Sequence, residues 1–248
     1  MSAGVVLRSC VFALLQLVVT PPFAIIALLT FPLHPVTRYR VIAQWARFMM
    51  FAAGAICGIR YRVLGADNIP QQPCVVLSKH QSAWETIAFQ VIFPPQVYVI
   101  KRELLWIPFF GWGLAMVSPI AIDRGSRMRA LKQMLEQGKD RLVRGFWIIV
   151  YPEGTRMPPG KRGRYQTGGA AIAVHAGAPV LPVAHNAGTC WRRNAFLKCP
   201  GTITVSIGRP IDTRDIKAEA VTRLVEEWIE SEMRQLDTAD GAARTLPA

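Results

Sequence analysis

The sequence has few charged residues and no closely spaced pair of cysteines. Only 18% of its 248 residues are charged, whereas 51% are hydrophobic, which excludes a disordered tail and a collagen-like fibre. The cysteines are odd in number and widely separated, so neither a disulfide scaffold nor a zinc site is expected. We interpret them as reduced and mostly packing residues, with most of the chain facing a reducing compartment: Cys10, Cys57, Cys74, Cys190 and Cys199.

Acidic residues are also scarce. The chain has 16 Asp and Glu against 29 Lys and Arg, a formal charge of +13. A chain that is both hydrophobic and strongly basic fits either a nucleic-acid binder with a large core or a protein on an anionic membrane surface. The positions of the apolar and basic residues along the chain are the evidence that distinguishes these two classes of protein.

A long segment without charge lies near the N-terminus. Residues 9–33 contain no charged side chain, and this run is long enough to cross a hydrocarbon core about 30 Å thick. Pro21 and Pro22 would kink or break a helix there, which leaves a straight span and a bent or re-entrant insertion both open. A second helical pattern from Pro35 to Gly58 is interrupted by arginines, as in an interfacial helix or one that packs back against the first.

Basic residues follow the apolar segment, and such an excess marks the cytoplasmic flank of a membrane segment. They are Arg38, Arg40, Arg47, Arg60 and Arg62. We therefore expect a protein of the cytoplasmic (inner) membrane that contacts membrane lipids, with the chain after residue 35 facing the cytoplasm. A cleaved signal peptide and a buried helix hairpin are the alternatives.

The body of the chain alternates short apolar runs with helical stretches, as in an α/β domain. Strands are predicted at Cys74–Ser78, Val97–Ile100, Pro119–Ile122, Phe146–Tyr151, Val180–Ala184 and Ile203–Ile207, and helices at Ser82–Ile92, Ser126–Arg144, Gly169–Ala176 and Lys217–Gln235. We divide the chain into N-terminal membrane-associated helices (1–60), an α/β domain (61–236) and a loose C-terminal tail (237–248).

A histidine and a carboxylate flank the turn after the first of these predicted strands. His80 follows the strand, and Glu85 lies just inside the next helix. A carboxylate that holds one imidazole nitrogen lets the other nitrogen take a proton, which suits activation of a hydroxyl for acyl transfer. The alternative is a capping box, in which Ser82 and Glu85 merely close the helix N-terminus.

A second motif follows the predicted strand at 146–151. In the run Pro152-Glu153-Gly154-Thr155-Arg156, a loop can present backbone N–H groups and a guanidinium to an anion, which suits a phosphate. An ordinary turn with a solvated arginine is the alternative.

Together these motifs resemble the 1-acyl-sn-glycerol-3-phosphate acyltransferases (lysophosphatidic acid acyltransferases). Residues 80–85 are similar to the family's His-x-x-x-x-Asp motif, and residues 152–156 match its Pro-Glu-Gly-Thr-Arg motif. Residues 101–124 resemble its second block and Val180–Val183 its fourth, so four ordered blocks cover roughly residues 70 to 210. The resemblance implies an α/β fold with a mixed central sheet flanked by helices, together with an N-terminal apolar helix pair that binds the membrane.

It also implies a reaction: transfer of an acyl chain from acyl-CoA or acyl carrier protein (ACP) to the sn-2 hydroxyl of lysophosphatidic acid, which gives phosphatidic acid for phospholipid synthesis. The catalytic domain would face the cytoplasm, with no metal and no cofactor beyond the acyl donor as co-substrate. His80 would be the general base and Glu85 its orienting carboxylate. The acceptor phosphate would contact Lys101, Arg124, Glu153, Gly154, Thr155 and Arg156, and Pro182 would lie on the acyl-donor side.

Two positions depart from the family pattern. Glu85 stands where the family usually has Asp, which keeps the chemistry but changes the geometry by one methylene. A basic pair that commonly follows the third block is replaced by the neutral run 165–169, and Lys161, Arg162 and Arg164 lie just upstream.

The alternatives within and beyond this enzyme class also remain open. Another lyso-lipid, such as lyso-ornithine lipid, could be the acceptor, and an acyl-Ser82 intermediate is a rival to direct transfer. A non-catalytic protein that binds anionic lipid would use the same basic surface, which carries 11 Lys and Arg and 4 Asp and Glu between residues 123 and 164. The apolar N-terminus and the lack of a recognisable nucleic-acid module argue against a nucleic-acid partner.

Overall fold

Seven strands form one sheet. The computed structural model describes residues 2–122 and 127–245. Its strands are β1 (Ile59–Leu64), β2 (Val75–Ser78), β3 (Gln96–Lys101), β4 (Ile120–Ile122), β5 (Trp147–Val150), β6 (Val180–His185) and β7 (Gly201–Ile207). Their order across the sheet is β1-β7-β6-β2-β5-β3-β4. The strands β2 to β6 are parallel, whereas β7 is antiparallel to β6, which confirms the mixed sheet.

Seven α-helices surround this sheet in the described residues. They are α1 (Ala3–Leu29), α2 (Pro35–Cys57), α3 (Trp84–Ile92), α4 (Phe110–Met116), α5 (Arg127–Val143), α6 (Gly168–Ala176) and α7 (Ala218–Thr245). Apolar side chains on the two faces of the sheet belong to two different hydrophobic clusters. One cluster contains α3, Phe12 of α1 and the end of α2, and the other contains α5, α6 and α7. Helices on both faces confirm the predicted α/β architecture.

The three central strands are buried along nearly their whole length. Every residue of β2 and β6 is buried, and so are the first three residues of β5. This explains why they read as continuous apolar runs rather than as an alternating pattern. Strand β1 was missed because it lies at the edge of the sheet, where most of its residues are exposed, so it contains no continuous apolar run of the kind used to identify the other strands.

The N-terminal helices pack on the α/β domain. Helix α1 is continuous through Pro21 and Pro22, and it is the single helix of the described residues that is long and apolar enough to cross a membrane. Helix α2 ends at Gly58, whose left-handed φ of 69° turns the chain directly into β1. The expected boundary at residue 61 therefore falls inside a strand.

The C-terminal residues differ from the expected loose tail. Helix α7 continues past residue 237 to Thr245, and the Thr238 hydroxyl donates to the Arg234 carbonyl within it. Low apolar content therefore does not prevent a helix over the described part of this segment. Helix α4 was also missed, because its seven residues are too few to show a helical period.

The carboxyl ends of the five parallel strands share one edge of the sheet. They bring Ser78, Lys101, Ile122, Val150 and His185 to the same side of the molecule. Such an edge is where open α/β sheets place their ligand sites.

Candidate active site

His80 and Glu85 form a hydrogen-bonded pair at this edge. The imidazole Nδ1 lies 2.8 Å from Glu85 Oε1. The Glu85 side chain is fully buried, whereas the His80 ring is 13% exposed. An ionised carboxylate can only accept, so Nδ1 carries the proton and Nε2 is left with a lone pair. This arrangement suits a general base that the carboxylate orients.

Glu85 also closes the start of α3, so the two interpretations of this motif are compatible. Its Oε1 accepts from the backbone N–H of Gln81 at 2.9 Å and of Ser82 at 2.8 Å. The Ser82 hydroxyl in turn accepts from the N–H of Trp84 at 3.0 Å. One carboxylate therefore fixes both the helix N-terminus and the imidazole, which locks the position of His80 relative to α3.

Burial disfavours the charged form of Glu85. Two kinds of interaction oppose this effect: the charge interaction with the rings of His185 and His80, and the hydrogen bonds from His80 and the Ser82 N–H. Together they outweigh burial and keep the pKa of Glu85 below its ordinary value. Glu85 is therefore ionised at neutral pH, as an orienting carboxylate has to be.

The residues on either side of the second motif pack directly against His80. The ring of Tyr151, which follows β5, stacks on the imidazole with centroids 3.9 Å apart and planes 12° apart. The His80 carbonyl accepts from the N–H of Met157 at 2.7 Å. Tyr151 covers one face of the imidazole, and Glu85 holds its Nδ1 by a hydrogen bond. These two contacts leave the imidazole little freedom to rotate.

Glu153 points into the protein rather than toward solvent. Its Oε2 accepts from the His80 backbone N–H at 3.1 Å, and its Oε1 accepts from Lys79 Nζ at 2.8 Å and from the Gly163 N–H at 3.1 Å. A buried carboxylate with three donors has little capacity for a phosphate, which it would also repel. We therefore interpret Glu153 as a residue that positions His80, not as the phosphate contact that the motif implied.

The remaining residues of the second motif lie where an anion can reach them. Gly154 has a left-handed φ of 67°, and Thr155 is exposed. Arg156 is half-buried, and within residues 2–122 and 127–245 its Nε has no hydrogen-bond partner. The Nε atom itself is buried, and a buried guanidinium N–H without a partner is a candidate donor to a phosphate.

Of the two cations expected between the motifs, the structure describes Lys101 at this edge. Lys101 ends β3, next to β5 in the sheet, and its side chain is exposed. It is two strands away from β2, or about 10 Å across the sheet. Arg124 follows β4 but lies outside the described residues.

Pro182 is not at this edge. It lies within β6, where it pairs in register with Leu77, and it is buried. A Cβ added to Gly208 would lie 2.8 Å from the Pro182 ring and 2.7 Å from Trp228 of α7. Pro182 therefore packs between the sheet and α7, away from the face that carries α3, which does not fit the expected acyl-donor side.

Sequence reasoning missed His185, the last residue of β6. Its buried ring donates from Nε2 to the Lys79 carbonyl at 2.8 Å and accepts at Nδ1 from the Ala187 N–H at 3.3 Å. Burial lowers its pKa, and one donor plus one acceptor are what a neutral imidazole supplies. In the sequence, its position directly after the predicted strand Val180–Ala184 was the feature that could have indicated a place at the site edge.

No group of three or more metal-ligating side chains occurs among the residues that the structure describes.

Comparison with known proteins agrees with this geometry. The family model described as Acyltransferase matches residues 60–186. A 1-acyl-sn-glycerol-3-phosphate acyltransferase of Pseudomonas aeruginosa is 47% identical over 203 residues, which cover 80% of this chain and 79% of the relative. The alpha enzyme of that name from Mus musculus is 29% identical over 184 residues, and the match spans 73% of this chain and 65% of the mouse protein.

The fold is also that of a solved structure. The crystal structure of the 1-acyl-sn-glycerophosphate acyltransferase from Thermotoga maritima superposes with a TM-score of 0.79 at 24% identity, over 94% of this chain and 95% of the other. From the sequence matches and the paired motifs at the sheet edge, the chain belongs to the acyltransferase family that contains the 1-acyl-sn-glycerol-3-phosphate acyltransferases.

Proposed function

We propose that this protein transfers an acyl chain from acyl-CoA or acyl-ACP to the sn-2 hydroxyl of lysophosphatidic acid, which yields phosphatidic acid. The observation that carries the proposal is the oriented His80–Glu85 pair stacked against the loop that presents Arg156. One half of this site can take a proton, and the other can hold a phosphate. The Pseudomonas relative, with 47% identity, supports the same acceptor.

In the proposed step, His80 Nε2 takes the proton of the acceptor hydroxyl as that oxygen attacks the thioester carbonyl carbon. The new C–O bond forms, the C–S bond breaks, and the departing thiolate takes the proton from the imidazolium. Glu85 stabilises the imidazolium through its charge and the 2.8 Å hydrogen bond. Ser82 does not act as a nucleophile in this scheme, because its hydroxyl caps α3.

The acceptor would be held by its phosphate. The Arg156 guanidinium has an unpaired N–H in the described part of the chain and follows directly on the exposed Thr155. Lys101, at the end of β3, supplies a further exposed cation two strands away from β2. Guanidinium groups bind phosphates through paired, charge-assisted hydrogen bonds. We expect Arg156 to contribute to acceptor binding more than to the chemical step.

An apolar surface supports membrane association. Leu7, Leu14, Leu17 and Leu29 on α1 are each more than 60% exposed. A second exposed group lies on and before α4, which packs on α1: Trp106, Ile107, Phe109, Phe110 and Trp112. A continuous apolar surface of this kind marks an interaction with a membrane or a partner, and tryptophan is enriched at the membrane interface. We propose the cytoplasmic leaflet of the inner membrane as its location.

Thiol release from acyl-CoA by the detergent-purified protein, with and without lysophosphatidic acid, tests the reaction. We expect release that depends on the acceptor, with phosphatidic acid identified by mass. The variant His80→Ala should reduce kcat by roughly 10²–10⁴-fold, the usual contribution of a general base. His175→Ala, which changes an exposed histidine on α6, is the matched control and should leave the rate unchanged.

Further arms of the assay identify the substrates. Arg156→Ala should raise the KM for the acceptor, whereas Arg144→Ala, an exposed arginine just after α5, should not. Acyl-ACP replaces acyl-CoA in a parallel reaction, and lyso-ornithine lipid replaces lysophosphatidic acid. Turnover of lyso-ornithine lipid alone would refute the proposed acceptor, and ping-pong kinetics would refute direct transfer.

The orientation can be tested with the exposed Cys199, which precedes β7. In a Cys10→Ser background, a membrane-impermeant maleimide should label Cys199 in lysed spheroplasts but not in intact ones. Labelling of intact spheroplasts would place the catalytic domain on the opposite side of the membrane.

A further inference from the structure

Lys79, the residue before His80, is a buried lysine. Its side chain is 1% exposed, and its ammonium has three acceptors: Glu153 Oε1 at 2.8 Å, Glu230 Oε1 at 2.8 Å and the Lys161 carbonyl at 3.1 Å. A lysine is almost never this buried unless it is paired. Its three N–H donors are all used, so it has no free donor for a substrate.

Glu230 comes from a distant part of the chain. It lies on α7, 151 residues after Lys79, and its side chain is only 14% exposed. The same Oε1 that accepts from Lys79 also accepts from the Tyr165 hydroxyl at 2.9 Å. Helix α7 lies beyond the residues that match the family model, so the family motifs do not account for this contact.

The contacts form one connected path to the active site. Tyr165 donates to Glu230, Glu230 accepts from the Lys79 ammonium, and the same ammonium donates to Glu153 Oε1. The other oxygen of Glu153 accepts from the His80 N–H at 3.1 Å. The backbone of Lys79 is fixed as well, because its N–H donates to the Val183 carbonyl at 3.0 Å. Loss of the Lys79 charge would leave two carboxylates unpaired, and loss of the Glu230 charge would leave the ammonium with Glu153 as its single ionic partner among the described residues, so the balance of contacts that holds Glu153 must shift in either case.

We propose that Lys79 and Glu230 are positioning residues for the acyl transfer proposed above, and that their ion pair couples the docking of α7 to the placement of His80. Neither touches substrate in this scheme. Lys79 acts through Glu153 on the His80 backbone, and Glu230 fixes the Lys79 ammonium from the opposite side. The active-site turn is then complete only when α7 is packed against the sheet.

The test compares Glu230→Gln with Glu227→Gln, which removes an exposed charge three residues earlier on the same helix. We expect Glu230→Gln to lower kcat about tenfold, with the KM for the acceptor within about twofold, as for a base displaced by less than about 1 Å. The control should match the wild type. An equal loss in both variants, or a change confined to KM, would overturn the proposal.

A double variant tests whether the two residues act together. If they share one path, Lys79→Met and Glu230→Gln combined should lose less activity than the product of the two single losses. Independent, multiplicative losses would overturn the coupling. If Glu230→Gln fails to fold, Tyr165→Phe removes only the hydroxyl that bonds Glu230, and it should show a smaller fall in kcat with the same unchanged KM.

A second readout needs no substrate and keeps this inference separate from the proposed reaction. The rate at which diethyl pyrocarbonate modifies His80, mapped by peptide mass spectrometry, reports on the placement of the ring. We expect Glu230→Gln to raise this rate several-fold while that of His175 stays constant. An unchanged His80 rate would overturn the positioning role even if the enzyme used another acceptor, whereas wild-type inactivity on lysophosphatidic acid would affect only the reaction.

Discussion

Replacement of Glu85 by glutamine separates the charge of this side chain from its shape. The amide oxygen introduced by Glu85→Gln can still accept the three hydrogen bonds that Glu85 Oε1 accepts from His80, Gln81 and Ser82. The start of α3 should therefore stay capped. What disappears is the negative charge of a fully buried carboxylate 2.8 Å from the imidazole.

We expect Glu85→Gln to lower the catalytic rate, kcat. Breaking a buried charge pair by neutralising one partner costs roughly 3–5 kcal/mol, and the imidazolium that needs this pair forms as the acceptor hydroxyl loses its proton. Each 1.36 kcal/mol is tenfold in rate, so we expect kcat to fall by roughly 10²–10⁴-fold. The assay is initial-rate thiol release at saturating acceptor, with thermal unfolding measured on the same samples.

Glu85→Asp is the matched control, because it restores the charge and removes one methylene. Three donors surround the present carboxylate at 2.8–2.9 Å, and a shorter side chain cannot keep all three at that distance. We expect its kcat to lie between those of the wild type and Glu85→Gln. A Glu85→Gln enzyme with nearly wild-type kcat would show that His80 does not depend on the carboxylate, and the proposed mechanism would be refuted.

Three further predictions concern stability and membrane binding. Gly208→Ala would place a Cβ 2.8 Å or less from the rigid rings of Pro182 and Trp228, and such overpacking typically costs about 1–3 kcal/mol in the free energy of unfolding, measurable by chemical denaturation. Burial lowers the pKa of His185 below 6.5, so the unfolded chain binds a proton that the native protein excludes, and the free energy of unfolding falls as the pH drops below about 6.5. His185→Gln should show a weaker loss of thermal stability between pH 7.5 and 5.5. Leu17→Glu, at a side chain that is 72% exposed on α1, should weaken flotation with phosphatidylglycerol vesicles about tenfold or more.

Each of these has a result that would contradict it. An unchanged midpoint for Gly208→Ala would mean that α7 can move away from β6 without cost. Parallel pH profiles for wild type and His185→Gln would show that this ring does not titrate on unfolding. Equal flotation losses for Leu17→Glu and for Leu224→Glu, an exposed leucine on α7, would mean that α1 is not the membrane-facing surface.

The sequence predicts the placement of the two motifs well, because both depend on local signals. His80 and the 152–156 loop each follow a short apolar run, and parallel strands bring their carboxyl ends to one edge. The five-residue spacing between His80 and Glu85 spans one turn, so their contact is also local. Strands buried on both faces were found to within one or two residues, whereas the largely exposed edge strand Ile59–Leu64 was not.

Roles that depend on burial were not predictable in the same way. The motif resemblance assigned Glu153 to the phosphate, but the structure surrounds its carboxylate with buried donors, and Pro182 packs under α7 instead of reaching the site edge. Whether a carboxylate binds a ligand or holds the backbone depends on which groups surround it, and the sequence alone does not state them.

The sequence by itself therefore determined the class of the fold, the apolar N-terminal helix and the meeting of the His80 motif with the 152–156 loop. Only the tertiary structure decided that the buried Lys79 pairs with Glu230 of α7, 151 residues away, and that Tyr151 stacks on the His80 ring. The physical reason is the distance along the chain over which each interaction acts. Hydrophobic period and strand-end position are properties of neighbouring residues, whereas the pairing of a buried charge is set by elements that meet only when the sheet and helices have packed.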